Sequence, residues 1–428
     1  MFEQNKNSIE AAKSFDTNCP LNKFRDEFEF PEVPEECQEK DVLYFAGHSL
    51  GLMPKRVRTV MSDELDAWGK YGVEGHFMGK KPWLPYHENI TESFSRLVGG
   101  KTTEVVAMNS LTVNLHLMLT SFYRPTKNKY KILIENNTFP SDQYAVDSQA
   151  RFHGYNPEEA VVELKPRQGE MTVRQEDLLA QIDELGDELA LVMLGNCNYL
   201  SGQCFDMEAI TNKGHEHGAM VGFNLAHGAG NLLLDLHKWN VDFAVWCSYK
   251  YLNSGPGGMA GAFVHEKHHN DPTIPRYEGW WGNNKSNRFE MKRRFDPIAS
   301  VEAWQLSNPP IFQLASLRAS MEIFDEATMP AIRKKGDHLT SYLEWLLTEN
   351  CGSFVKVQTP AFREDKQVRG SMLSIKMTKD PKQLVESFKN KGVICDFREP
   401  DILRISPAPL YNSYEDVYRL VQIIKEFS

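Results

Sequence analysis

The sequence predicts an α/β protein, with a large doubly wound mixed sheet domain followed by a small α/β C-terminal domain. Three observations carry this. The short apolar runs Tyr130–Ile134, Leu189–Leu194 and Met220–Phe223 lack the alternation of a half-exposed strand, so they read as parallel strands covered on both faces. Helical patterns lie between them, which is the rhythm of successive βαβ units. After Asn308-Pro309-Pro310 the units become shorter and continue to the C-terminus.

The elements follow in order. Residues 1–40 carry charges and prolines and predict a helix followed by an extended arm. Asp63–Tyr71 reads as helix. Thr112–Phe122 also reads as helix, with Val113, Leu115, Leu117, Met118 and Leu119 as apolar positions; Ser110-Leu111-Thr112 before it resembles a cap. A helix start there offers free N–H groups to a phosphate. The run Gly258–Val264 reads as a returning strand. Leu314–Ala327 begins a long helix. The expected division is an N-terminal segment over 1–65, a large domain over 66–310 and a small domain over 311–428.

Composition sets limits. The 428 residues suffice for two domains with sizeable cores. A net charge of −10 disfavours nucleic acid or an anionic membrane as partner. No apolar run approaches a membrane span, and the polar start Met1-Phe2-Glu3-Gln4 has no signal-peptide core. Seven scattered cysteines with no CxxC pair predict reduced thiols in a cytoplasmic protein.

The chemistry concentrates at Trp246–Gly258. Lys250 follows the apolar run Asp242–Trp246 and precedes a glycine-rich turn. Burial in an apolar pocket lowers a lysine's pKa and frees its lone pair, which suits a Schiff base to an aldehyde cofactor. Ser248 and Tyr249 offer hydroxyls to a phosphate. On these residues alone, a lysine that merely snorkels from a strand end is an equal reading. Upstream, Val221-Gly222-Phe223-Asn224-Leu225-Ala226-His227 is a short strand ending in polar groups. Such a strand end can meet a cofactor ring nitrogen.

Together these segments resemble kynureninase, a fold-type I pyridoxal-phosphate hydrolase. Further marks are Phe45–Leu52, Gly79–Trp83, Asn109–Asn114, Phe139–Asp142, Gly279–Gly282, Ser307–Pro310, and Arg404 ahead of Pro407–Asn412. The resemblance covers nearly the whole chain after about residue 40. It implies pyridoxal 5'-phosphate as cofactor, a homodimer, and hydrolysis of L-kynurenine or 3-hydroxy-L-kynurenine to the anthranilate plus L-alanine, in tryptophan catabolism.

The resemblance also implies roles. Lys250 is the Schiff-base lysine and proton shuttle, assisted by Tyr249. Leu111 and Thr112 form the phosphate turn. Phe139 stacks on the ring, within the cofactor segment Phe139-Pro140-Ser141-Asp142, and His227 lies nearby. Trp280 and Asn308 reach the cofactor region across a dimer interface. Arg404 takes the substrate carboxylate, while Ser49, His76 and Ser307 lie near its aromatic end. One departure stands out: Asn224 occupies the place of the aspartate that pairs with the ring nitrogen in the family. A weak or inactive cofactor-binding relative is therefore a second reading. A cysteine desulfurase with Cys351 as nucleophile is a third.

Two motifs are set aside, and no metal is expected. His265-Glu266-Lys267-His268-His269 fits the letters of a zinc helix, but it follows a strand and soon meets Asp271-Pro272. Gly255–Gly261 opens a strand where a dinucleotide fingerprint would open a helix.

Overall fold

The computed structural model describes residues 2–33, 37, 41–378 and 381–427. Seven strands form the main sheet: Val105–Ala107 (β1), Lys131–Glu135 (β2), Val161–Leu164 (β3), Leu189–Gly195 (β4), Met220–Asn224 (β5), Phe243–Trp246 (β6) and Gly261–Val264 (β7). Their order is β1-β7-β6-β5-β4-β2-β3. The strands from β6 to β3 are parallel, and β7 runs antiparallel between β1 and β6. The run read as a returning strand is therefore β7, shorter than expected because Gly255–Gly258 remain in the turn.

Why these runs lack alternation is visible in the packing. Leu133, Val192, Val221, Phe223 and Trp246 enter one core layer. Their neighbours Ile132, Ile134, Leu191, Met193 and Phe243 enter the other. Both faces are covered by helices, so both sets of positions must be apolar. Phe223 is fully buried at the centre of this sheet. Phe223→Ala is expected to lower unfolding stability by about 3–5 kcal/mol. A urea titration with a midpoint unchanged from the parent would disprove it.

A four-stranded antiparallel sheet follows: Val355–Val357 (β8), Leu373–Met377 (β9), Asp396–Arg398 (β10) and Ile402–Ile405 (β11), in the order β8-β9-β11-β10. It packs on helices Met329–Cys351 and Tyr414–Glu426. The single long helix expected from Leu314 is two helices, Ile311–Ala327 and Met329–Cys351. Thr328 between them adopts φ 64°, outside helical space, and Pro330 has no N–H to continue the ladder.

The N-terminal reading holds for the helix Ile9–Thr17; part of the predicted arm, at residues 34–36 and 38–40, lies outside the described residues. Leu43–Tyr44 pairs in parallel with Val393–Ile394, and Ala46 bridges Ser406. That pairing sets the following residues, His48 and Ser49, beside β10 and β11. Among the described residues, no helix is long and apolar enough to cross a membrane.

The expectation of reduced thiols needs correction at one place. Cys197 and Cys204 are joined by a disulfide. They face each other across an antiparallel bridge closed by a short turn, with Cα atoms 4.1 Å apart. A spacing of seven residues does not disclose such a turn.

Candidate active site

In an open α/β sheet, ligands sit beyond the carboxyl ends of the parallel strands. Here those ends present Glu135 from β2, Gly195 from β4, Asn224 from β5 and Cys247–Lys250 after β6. They surround a cavity of about 300 Å³. Eleven residues singled out from the sequence line it: Ser49, Leu111, Thr112, Phe139, Ser141, Asp142, Asn224, His227, Tyr249, Lys250 and Arg404.

Lys250 lies at the centre. Burial pushes its pKa down, as do the charges of Arg404 and Arg398, while Cys247 and Asp142 act the other way. Its Nζ is 3.2 Å from His227 Nε2 and 5.9 Å from the centre of the Phe139 ring. Burial, and then the Lys250 charge, keep His227 well below its ordinary pKa. A neutral imidazole can accept from the lysine without repelling it. Burial raises the Tyr249 pKa, so the phenol keeps its proton.

The opposite wall carries Asp142 and Asn224. Pro140, with its preset φ, starts the helix Pro140–Phe152 and puts Asp142 in the first turn. Asn224 Nδ2 donates to both Asp142 oxygens, at 2.7 and 3.0 Å. Its Oδ1 accepts from Ala226 N–H at 2.9 Å. Burial raises Asp142 to about 6, against the lowering effects of the Asn224 bond and Lys250. Glu135, beside them, is raised by burial to about 7, with Asn198 donating to it at 3.0 Å.

At the next corner, the helix Leu111–Phe122 begins. Ser110 occupies the cap position, but its side chain makes no capping bond. The first-turn N–H groups therefore remain available to an anion. Across from them, Arg404 on β11 donates through Nη1 to the Tyr199 carbonyl at 2.7 Å and through Nη2 to Asp396. Arg398 also donates to Asp396, at 3.2 Å. His48 Nε2 lies 3.4 Å from the same carboxylate. Burial keeps His48 neutral, at about 4.

Five expected residues do not line this cavity. Pro140 serves only as the helix start. His76 turns its Nδ1 to the Val73 carbonyl, 2.9 Å away. Trp280 is 44% exposed and donates to Arg288 O. Ser307 and Asn308 are exposed and bond each other at 3.2 Å. Conversely, the cavity includes Glu135, Cys197, Tyr199, Cys247, Arg398 and His48, which sequence reasoning did not assign to it. Glu135 carried a signal, a charge closing an apolar strand. Tyr199 carried none, because its loop has no periodicity.

Cys351 is fully buried at the end of its helix, in the core under the four-stranded sheet, and burial raises its thiol to about 11. It does not line the cavity, so it is no nucleophile there. The His265–His269 letters also come apart. His268 turns to Asp242 at 2.8 Å, while His265 lies 3.7 Å from Glu104. Glu104 and His237 form a close group with His265, but its ligand atoms are engaged. Glu104 accepts from the N–H groups of Lys101 and Glu266 and faces His237 Nδ1; His265 Nδ1 accepts from Lys267 N–H.

This arrangement of sheet, helix start and half-buried lysine is that of the fold-type I pyridoxal-phosphate enzymes. Among solved structures, the chain superposes on a cystine C–S lyase, C-DES, in complex with cysteine persulfide. The TM-score is 0.75 and identity 14%, covering 90% of this chain and 97% of that one. The apo cysteine desulfurase of Thermococcus onnurineus gives 0.72 and 16%, covering 97% of each. At such identities the likeness establishes the fold alone.

Sequence relatives specify the family. The chain is 55% identical over 414 residues to the kynureninase of Myxococcus xanthus, covering 97% of this chain and 96% of that protein. It is 44% identical to the kynureninase of Mus musculus, covering 96% and 92%. Residues 332–424 match the kynureninase C-terminal domain family. The chain belongs to the kynureninase family.

Proposed function

We propose that this protein hydrolyses L-kynurenine or 3-hydroxy-L-kynurenine to the corresponding anthranilate and L-alanine, with pyridoxal phosphate as cofactor. The observation that carries the reading is Lys250, half-buried and kept from its ordinary basicity, in the wall of the cavity. The residues present fit the cofactor. The uncapped helix start at Leu111 and Thr112 suits its phosphate, the Phe139 ring offers a stacking face, and Asn224 with Asp142 suits the ring nitrogen. When bound, the cofactor supplies an aldehyde for Lys250 and a ring that accepts electrons from the substrate's α-carbon.

The side chains divide the remaining work. Arg404 holds the substrate carboxylate, for which a guanidinium fork is shaped. Lys250, with its amine free, would take the α-proton. Tyr249 holds a proton within the cavity and donates it as the Cβ–Cγ bond is cleaved by water. Steady-state assay of both kynurenines, with the amino product identified as alanine, tests the reading; turnover absent on both would end it.

We also read residue 224 as a departure from an aspartate in the family. Its Oδ1 has one lone pair free of Ala226 and can accept from the ring nitrogen. The negative charge then stands one residue further back, on Asp142. Turnover requires Asp142 ionised, so it should fall as pH drops through about 6. A rate that stays flat from pH 7 to 5 would contradict this role. Arg404→Lys keeps the charge but loses the fork. It should raise KM at least about tenfold with a smaller change in kcat, in line with about 1.4 kcal/mol or more for a charged hydrogen bond. An unchanged KM would remove Arg404 from substrate binding.

The homodimer is part of the same proposal. Trp68, Phe77 and Trp280 expose 44–60% of their surface, beside His76 on one flank and near Ser307-Asn308 on the other. A second copy covering them would bring Trp280 and Asn308 to its neighbour's cavity. Light scattering after gel filtration distinguishes one chain from two. A cytoplasmic location and the three-part division 1–65, 66–310 and 311–428 accompany this reading.

A further inference from the structure

We propose that Cys197 and Cys204 form a reversible oxidation site on the wall of the cavity, whose oxidant is a small-molecule disulfide of the glutathione class. Cys197 lines the cavity, so the pair can be reached through the opening the substrate uses. The backbone alone brings the two residues together. Asn198 N–H donates to Gln203 O at 2.8 Å, and Phe205 N–H to Asn196 O at 3.0 Å. Between these bonds, Cys197 and Cys204 occupy a pair that exchanges no hydrogen bonds, the position where facing side chains come closest. Backbone pairing of this kind keeps the two sulfurs within reach of each other whether or not they are bonded, as a reversible pair requires.

The turn between them carries Tyr199, and Tyr199 touches both ends of the site. Its carbonyl holds Arg404 at 2.7 Å, and its ring meets Phe139 edge-on with centroids 5.6 Å apart. The same turn is fastened to the loop between β8 and β9: Thr359 Oγ1 donates to Ser201 O at 2.6 Å, and Cys204 N–H donates to Val368 O at 2.9 Å. Closing the disulfide ties the turn at its base and fixes Tyr199 against Arg404. Opening it leaves that grip to the turn's hydrogen bonds alone.

The chemistry balances. A cysteine thiolate attacks the small disulfide, releasing one thiol and leaving a mixed disulfide. The second cysteine, deprotonated, attacks the protein sulfur of that mixed disulfide and expels the other thiol. Two electrons pass from the protein pair to the small disulfide, and the two protons end on the released thiols.

The direction of the effect on substrate rests on the kynureninase reading; the thiol state does not. Holoenzyme equilibrated in glutathione buffers, from fully reduced to fully oxidised, would be alkylated and weighed by mass spectrometry. Cys197 and Cys204 should change together from alkylated to protected across the series. In the same buffers, KM for kynurenine should be three- to tenfold higher in the reduced enzyme, with kcat within about twofold. Cys204→Ser should show the reduced enzyme's KM in every buffer. A pair that stays bonded in reduced glutathione, or stays alkylated in the oxidised form, overturns the proposal. So does a KM that ignores the thiol state. If neither redox form turns over kynurenine, the functional reading fails, while the alkylation series still decides whether the pair is reversible.

Discussion

Lys250→Ala is expected to abolish turnover, by about 10⁴-fold or more. One residue is asked for two tasks: covalent capture of the cofactor aldehyde and transfer of the α-proton. Positioned acid–base catalysis alone is worth about 10²–10⁴-fold, and the loss of covalent capture adds to it. The substitution shortens a half-buried side chain whose pKa burial already pushes down. His227 loses its partner at 3.2 Å but stays neutral. The variant should fold, bind cofactor less tightly, and lack the visible absorption band of lysine-bound pyridoxal phosphate. Activity above one per cent of the parent, or the band retained, would show that another amine carries the cofactor.

The second large effect is expected from Asn224→Asp, in the direction of gain. A carboxylate paired directly with a protonated ring nitrogen is a buried ion pair, and breaking such a pair costs about 3–5 kcal/mol. Asp142 already stands behind Asn224 and supplies part of that field, so the recovery should be smaller. We expect kcat to rise about 10- to 100-fold, or about 1.4–2.8 kcal/mol. The new carboxylate would also lie against Asp142. Like charges at that distance cannot both ionise freely, so the pair should share a proton and move the acid limb of the pH–rate profile upward. A kcat within threefold of the parent would mean that the amide backed by Asp142 already serves the ring fully.

Much of this was legible in the sequence. The parallel strands could be read because both of their faces are covered, which enforces unbroken apolar runs such as Leu189–Leu194. Lys250, Asn224 and His227 could be found because strand ends are where polar groups interrupt those runs. Tyr199, Asp396 and Arg398 could not. Their place in the site depends on a turn and a distant sheet being folded against β4, and no local pattern encodes that. The Cys197–Cys204 pair escaped notice for the same reason: its proximity is set by two backbone hydrogen bonds. His76, Trp280, Ser307 and Asn308 stand outside the cavity of a single chain, where short-range pattern has nothing to say.

The parallel pairing of Leu43–Tyr44 with Val393–Ile394 has a mechanical consequence. Residues 43–49 belong, in chain order, far from the four-stranded sheet, yet Leu43–Tyr44 pairs with Val393–Ile394 just ahead of β10, and Ala46 bridges Ser406 just past β11. Ser49 is thus tied on one side to the strand that carries Arg404, while two residues further on Gly51 N–H donates to the Tyr249 carbonyl at 2.8 Å, next to Lys250. The segment is therefore a tether between the lysine and the arginine of the cavity, and a shift of either sheet pulls on Ser49.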